Sequence, residues 1–308
     1  MNSFDFFEAL TDIDDDLIMN AQFASSRKRC VRHLGLRIAV AVCVISLLVL
    51  TATAITIGVR ILNSSDVAVN YENFPMWSLS VNSKVTTVEY QLQAQTVKLP
   101  LHWEEAMTNA WKGFGYSYEH FSGIHLQEDD GSRINFGSIA DLEQLLGVPL
   151  IYSEELENVT KGAYVTLIVT DHVRATDQFR REGVVTPDGL VIYCPFLCSK
   201  QNGFDPEIVD YCGLNIFVPL TDSFAEQYAT RPILSSVYKQ ELSQTSMVSD
   251  GKLDIVILEN TVEDDAPLSG YAAWAHEGIG YLVEIKTNWS ANTQPGQLLM
   301  PYLESLEG

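Results

Sequence analysis

Residues able to bind a metal, activate a nucleophile or pair as thiols are few in this chain and thinly spread. His120 and His125 flank a stretch with Glu119, Glu128, Asp129 and Asp130, a donor set for a divalent cation if the loop folded back. Glu128-Asp129-Asp130-Gly131-Ser132 is instead ordinary turn chemistry between two strands, with its carboxylates turned to solvent. Asp171-His172 followed by Asp177 has the residue types of part of a catalytic triad, an adjacency that a chain of this length contains by chance. There is no His-Glu-x-x-His, no Gly-x-Ser-x-Gly and no phosphate-cradling glycine loop. No catalytic residue, cofactor or metal site is therefore expected, and the chain is not expected to be an enzyme.

Five cysteines divide into Cys30 and Cys43 near the N-terminus and Cys194, Cys198 and Cys212 farther on. The last three are separated by three and then thirteen residues, which lacks the tight ligand pairs of a structural zinc site. Outside the cytosol one pair of them could oxidise and leave a third thiol buried or free. Trp77, Trp103, Trp111, Trp274 and Trp289, with Phe114, Tyr116, Tyr118 and Phe121 along one stretch, are expected to fill the core rather than form a carbohydrate or peptide platform. Asn158-Val-Thr and Asn288-Trp-Ser match glycosylation acceptors, which matter only in a cell that glycosylates secreted chains.

The elements that position these residues are dominated by one apolar run. Ile38 to Val59 holds 22 residues with no charge, no proline and one glycine, Gly58. At about 1.5 Å rise per residue it is long enough to cross a hydrocarbon core of about 30 Å. Ala52-Thr53-Ala54 has the pattern that a signal peptidase accepts, but the patterned acidic segment ahead of the run argues against a cleaved leader. Uniform apolarity with basic residues stacked at one end argues against a buried core helix. A transmembrane helix over 38–60 is the expectation. Arg27, Lys28, Arg29, Arg32 and Arg37 precede it and only Arg60 follows closely, so the N-terminus is expected in the cytoplasm and everything from about residue 61 outside. The basic residues need no partner beyond phospholipid headgroups.

Residues 61–308 carry 13 Lys and Arg against 34 Asp and Glu, so the whole net charge of −21 lies there. Such a field repels nucleic acid and anionic lipid, and it favours solubility, basic partners and divalent cations. In the N-terminal tail (1–37), Phe4, Phe7, Leu10, Ile13, Leu17 and Ile18 recur largely at intervals of three and four. They predict an amphipathic helix whose other face carries Asp5, Glu8, Asp12, Asp15 and Asp16, with Ser3 able to cap its start. An acidic polar face suits a protein partner better than a membrane surface, with Phe7, Leu10, Ile13 and Leu17 as the partner-facing positions. The alternative is a frayed tail that only sets topology.

Beyond a polar spacer (61–81) that includes Asn63-Ser64-Ser65-Asp66, the pattern turns to strands over 85–92, 164–169, 189–194, 214–218, 253–258, 271–276 and 281–285. The last two are separated by Glu277-Gly278-Ile279-Gly280 and predict a β-hairpin. Helices are predicted over 103–111, over 139–146 between Ser138 and Gly147, and over 296–306. The expected fold class is α+β, one transmembrane helix followed by an extracytoplasmic domain (82–308, with a possible subdivision near 150) built on a mostly antiparallel sheet.

Phe6-Phe7-Glu8-Ala9-Leu10-Thr11-Asp12-Ile13-Asp14-Asp15-Asp16-Leu17-Ile18, followed by a basic patch and one span, resembles the opening of anti-sigma-factor-like membrane proteins of Gram-positive bacteria. Ile139-Ala140-Asp141-Leu142-Glu143-Gln144-Leu145-Leu146-Gly147-Val148-Pro149-Leu150-Ile151 is similar to the helix that opens their extracytoplasmic domain. Gly270-Tyr271-Ala272-Ala273-Trp274 to Gly280-Tyr281-Leu282-Val283-Glu284-Ile285, then a helix reaching Leu306, is similar to its C-terminal end. These stretches cover about a third of the chain. The resemblance implies a tail that holds a sigma-factor-like transcription factor in the cytoplasm and an outer domain that senses an envelope signal. Many such proteins carry a His and Cys zinc motif in the cytoplasmic part. Here that part has only His33 and Cys30, so zinc-dependent binding is not implied. No catalytic residue carries over.

Overall fold

The computed structural model describes residues 59–63, 85–114, 121–234, 242–260, 268–288 and 293–307. Every element described below belongs to one compact unit, Ile57–Gly308. The amphipathic tail with Phe7, Leu10, Ile13 and Leu17 lies outside the described residues, as do Arg27, Lys28, Arg29, Arg32 and Arg37. So do the expected span and spacer, with one exception. Val59–Asn63 is a strand, β1, paired with β2 (Val85–Tyr90), rather than the end of a membrane helix and the start of a spacer. Among the described residues no helix is long and apolar enough to cross a membrane.

The expected α+β architecture, with a mostly antiparallel sheet and a few helices, is what the unit shows. Eight strands form one sheet in the order β3 (Gly123–His125), β4 (Tyr164–Ile168), β5 (Gly189–Pro195), β6 (Val209–Pro219), β11 (Ile279–Thr287), β10 (Ser269–His276), β9 (Asp254–Asn260) and β8 (Leu242–Val248). Every neighbouring pair is antiparallel. A second sheet of three strands sets β1, β2 and β7 (Thr230–Leu234) side by side. Antiparallel strands need only short connections, which is why so many of these strands are joined by hairpins. The tightest joins β10 to β11 through Glu277 and Gly278 alone, at φ 47° and 83°. Two positive values suit the strand twist at a two-residue turn, so the loop is shorter than the four residues expected from sequence.

One face of the large sheet is sealed by helices: α1 (Leu101–Phe114), α2 (Ile139–Leu146), α3 (Glu154–Val159) and α6 (Pro295–Glu304). Strand alternation supplies the other half of that core, with Leu190, Ile192 and Cys194 from β5 and Leu214, Ile216 and Val218 from β6 all pointing into it. Trp103, Trp111 and Trp274 are fully buried there, and Trp274 stacks on Tyr281 at 5.2 Å. They fill the core as expected, as does Phe121, whereas Phe114 at the end of α1 is half exposed, and Trp77, Tyr116, Tyr118 and Trp289 lie outside the described residues. Each buried ring of this size stabilises the fold by about 2–3 kcal/mol. The helix over 139–146 has the limits read from sequence: Ser138 accepts from Asp141 N at its start, and Gly147 at φ 66° closes it on Glu143 O.

Three helices and several strands differ from expectation. α3, α4 (His172–Glu182) and α5 (Asp222–Tyr228) were not expected, nor were β1, β3, β7 and β8. The opposite face of the sheet is covered at one end by a smaller cluster in which Val88 and Tyr90 of β2 and Phe224 of α5 pack on Phe217, Ala273 and Leu282.

Candidate functional site

Most of the residues with chemical potential turn out to be structural. Asp171 caps α4 by accepting from Arg174 N, and His172 Nε2 lies 2.7 Å from Phe121 O while its ring stacks on Trp111. Asp177, five residues further along that helix, reaches only Arg180 at its surface, so the three do not converge. Glu128 to Ser132 is a turn, with Gly131 N donating to Glu128 O and Ser132 N to Asp130 Oδ1. His125 sits at the edge strand between Thr166 Oγ1 at 2.8 Å and the Arg133 guanidinium at 3.4 Å. Burial, and then that cation, hold its imidazole below the usual histidine range. Glu119 and His120 lie outside the described residues. Among the described residues no three His, Cys, Asp or Glu side chains are grouped to hold a metal.

Cys194, Cys198 and Cys212 are all free thiols. Burial pushes the thiols of Cys194 and Cys212 far above the usual cysteine range, which leaves them poor nucleophiles.

A different group stands out once strand register is known. On the sheet face away from the helices, pairing aligns Gly213 of β6, Glu284 of β11 and Tyr271 of β10 in one row. The next row holds Tyr211, Lys286 and Ser269, and the row on the other side holds Tyr164, Tyr193 and Asn215. Polar and aromatic residues therefore share this end of the face, where Tyr271 also belongs to the small apolar cluster of Val88, Tyr90 and Phe224. Tyr193, Tyr211, Asn215, Glu284 and Lys286 are half-buried, and Tyr271 is buried.

The geometry depends on a glycine. Tyr193 lies over Gly213: a Cβ there would meet Tyr193 Cε2 at 2.7 Å and its hydroxyl at 3.1 Å. With no side chain in the way, the ring reaches across to run parallel to Tyr211, at 5° with centroids 6.4 Å apart. This brings the hydroxyl end of Tyr193 beside the row that holds Glu284. A bulge between Lys286 and Thr287 leaves Asp210 outside the pairing, where its carboxylate lies 4.0 Å from Lys286 Nζ.

Glu284 has an unusual standing. Burial raises its carboxyl above the usual range and Lys286 only partly offsets this, yet among the described residues it makes no hydrogen bond and no ion pair. Its charge in turn adds to the burial that holds the phenols of Tyr193, Tyr211 and Tyr271 in their neutral form.

The chain matches no protein-family model, and no characterised protein or solved structure is similar to it. The site must therefore be interpreted from its own chemistry. A half-buried carboxylate with neutral phenols on the adjoining rows can accept hydrogen bonds from a cation. Sequence reasoning missed this group because Tyr193 and Glu284 are 91 positions apart. The signal that could have found it is the polar phase of the strand alternation in 189–194 and 281–285.

Proposed function

We propose that this chain is a membrane-anchored sensory or regulatory protein, anti-sigma-factor-like in organisation, in which the folded unit receives a signal outside the cell and the N-terminal tail holds a cytoplasmic, sigma-factor-like partner. The observation that carries this reading is the order of parts along the chain: a patterned tail, a basic patch, 22 uncharged residues, then an acidic α+β unit. A tail with an apolar stripe and an acidic face is built for a protein partner. The folded unit contributes a polar sheet face with Glu284 and three tyrosines, suited to binding rather than to turnover.

A pulldown from detergent-solubilised membranes tests the proposal, comparing the intact chain with one lacking residues 1–26. Loss of a bound protein with the tail supports cytoplasmic signalling. Identical captured sets, or none, refute it. A second reading is an envelope binding module whose tail sets topology only, and it is favoured by the fact that the best-formed site lies in the folded unit. Leu10→Asp combined with Leu17→Asp separates the two, since unchanged behaviour with normal membrane insertion moves the function outward.

A further inference from the structure

The two edges of the eight-stranded sheet are built differently. β3, at one edge, pairs over Gly123, Ile124 and His125 only, and just beyond it the chain folds back on itself through a bridge between Gln127 and the cationic Arg133. Short length and charge are ordinary devices that keep a sheet edge from recruiting another strand. β8, at the other edge, has neither. It pairs with β9 over seven consecutive residues, Leu242-Ser243-Gln244-Thr245-Ser246-Met247-Val248, with no shift of register, no proline and no charge, in a chain whose net charge is −21. Gln244, Thr245 and Ser246 are exposed, and so is the apolar Val248, at 62%.

The turn after β8 fixes which backbone groups face outward. Ser249 N donates to Leu253 O, and Lys252, at φ 65°, donates its N–H to Ser249 O, so Ser249 and Leu253 form a hydrogen-bonded pair. Bonded pairs alternate along an antiparallel ladder. Ser243, Thr245 and Met247 therefore bond to β9, and the N–H and C=O groups of Leu242, Gln244, Ser246 and Val248 face away from the sheet. Water satisfies them in a single copy. What sets β8 apart is that it is complementary to itself: an antiparallel copy centred on Thr245 sets Leu242 against Val248 and Gln244 against Ser246, so every outward-facing residue meets another. The same register lays the exposed Val248 beside the other copy's Leu242 and Thr245 beside Thr245, pairs that stabilise antiparallel ladders. We infer that β8 is the contact strand of a symmetric dimer, in which two copies of this chain join their sheets edge to edge about a two-fold axis at Thr245. Asp254 and Glu259 lie on β9, one strand back from the contact, so repulsion between two acidic copies is felt across it and weakens as salt rises. Seven residues a side is a contact below the roughly 1,200 Å² of a standard interface, so the dimer is weak and forms where copies are concentrated. The inference does not depend on what the tail holds.

The test uses the full chain in detergent micelles, with Cys30, Cys43 and Cys198 replaced by serine, and reads sedimentation and oxidative cross-linking. Residues opposed at a non-hydrogen-bonded site have Cα atoms about 4.5 Å apart, within disulfide reach. Thr245→Cys therefore cross-links to its own counterpart, whereas Gln244→Cys, equally exposed but opposite Ser246 of the other copy, cross-links about tenfold less. Thr245→Lys sets like charges face to face and weakens dimerisation about fivefold. Ser246→Pro removes an outward-facing donor without breaking the β9 ladder and weakens it about tenfold. Both changes are at exposed positions and leave the urea midpoint where it was, and Thr245→Lys carries the test alone if the proline disturbs the fold. A chain that sediments as a monomer throughout the micromolar range overturns the proposal. So does a dimer untouched by Thr245→Lys, or one in which Gln244→Cys cross-links as well as Thr245→Cys. Deleting residues 1–26 leaves dimerisation unchanged, so failure here is distinguishable from failure of the tail to hold its partner.

Discussion

Two acidic side chains at different ends of this fold have opposite surroundings. Asp188, just before β5, is fully buried and every acceptor is in use: Thr170 N and Asp171 N donate to Oδ2 at 2.8 and 3.0 Å, Thr221 Oγ1 donates to Oδ1 at 3.2 Å, and Arg174 Nε pairs with Oδ1 at 2.9 Å. Its backbone carbonyl also accepts from Leu220 N and Thr221 N. Asp188 therefore fastens the start of α4 and the turn ahead of α5 to the sheet. Glu284, in the middle of β11, has no such partners. Asp188 is a buried charge whose complete set of partners makes it part of the scaffold, whereas Glu284 is half-buried and keeps access to water.

The contrast can be broken most forcefully at Asp188. Asp188→Ala removes the anion paired with Arg174 Nε and the acceptor of two backbone N–H groups, while Arg174 keeps its bonds to Gln178 and Thr186, and urea unfolding should show a loss of about 3 kcal/mol. Gly213→Ala comes next: its new Cβ forces Tyr193 off Tyr211, costing about 1–3 kcal/mol as overpacking, and tyrosine fluorescence reports the separation of the rings.

Glu284→Gln should have the opposite sign. Burial holds the folded-state carboxyl above its usual range, so the folded chain binds this proton more tightly than the unfolded chain does. The stabilisation from that proton is complete at acid pH and is lost as pH rises through the folded-state value. The charged groups facing Glu284 are Lys286 and, beyond it, Asp210, and the phenols of Tyr193, Tyr211 and Tyr271 stay neutral throughout. Thermal unfolding of Glu284→Gln should therefore be shifted upward at neutral pH and match the parent below about pH 4. An unchanged midpoint at both pH values would mean that the carboxylate is compensated after all. Lys286→Ala has the smallest expected effect, within about 0.5 kcal/mol, because its pairing with Asp210 is long and solvent-exposed.

How much of this was legible in the sequence depended on how strongly burial patterned each segment. Gly189–Pro195 alternates because one face meets the helical core and the other does not, and the strand was legible for that reason. α4 was missed because His172–Glu182 buries only Ala175, so no apolar period exists to be seen; its signals were Asp171 and Gly183 at the two ends. β8 is an edge strand with Gln244, Thr245 and Ser246 exposed, and nothing forces it to alternate. The core role of Trp103, Trp111 and Trp274 followed from size alone. The grouping of Tyr193, Tyr211, Tyr271 and Glu284 could not be read, since it is set by the register of four strands and by the absence of a side chain at Gly213.

The place of β11 in the sheet bears on how the chain is made. It is the last strand in sequence yet lies between β6 and β10, near the middle of the order. From it, Tyr281 reaches both layers: its hydroxyl accepts from Ile151 N on the helical side, and its carbonyl accepts from the Tyr90 hydroxyl on the other. Those bonds close loops of 130 and 191 residues. During synthesis, β3 to β6 and β8 to β10 therefore remain two unjoined half-sheets until residues 279–287 have emerged, and folding waits on the C-terminal end of the chain.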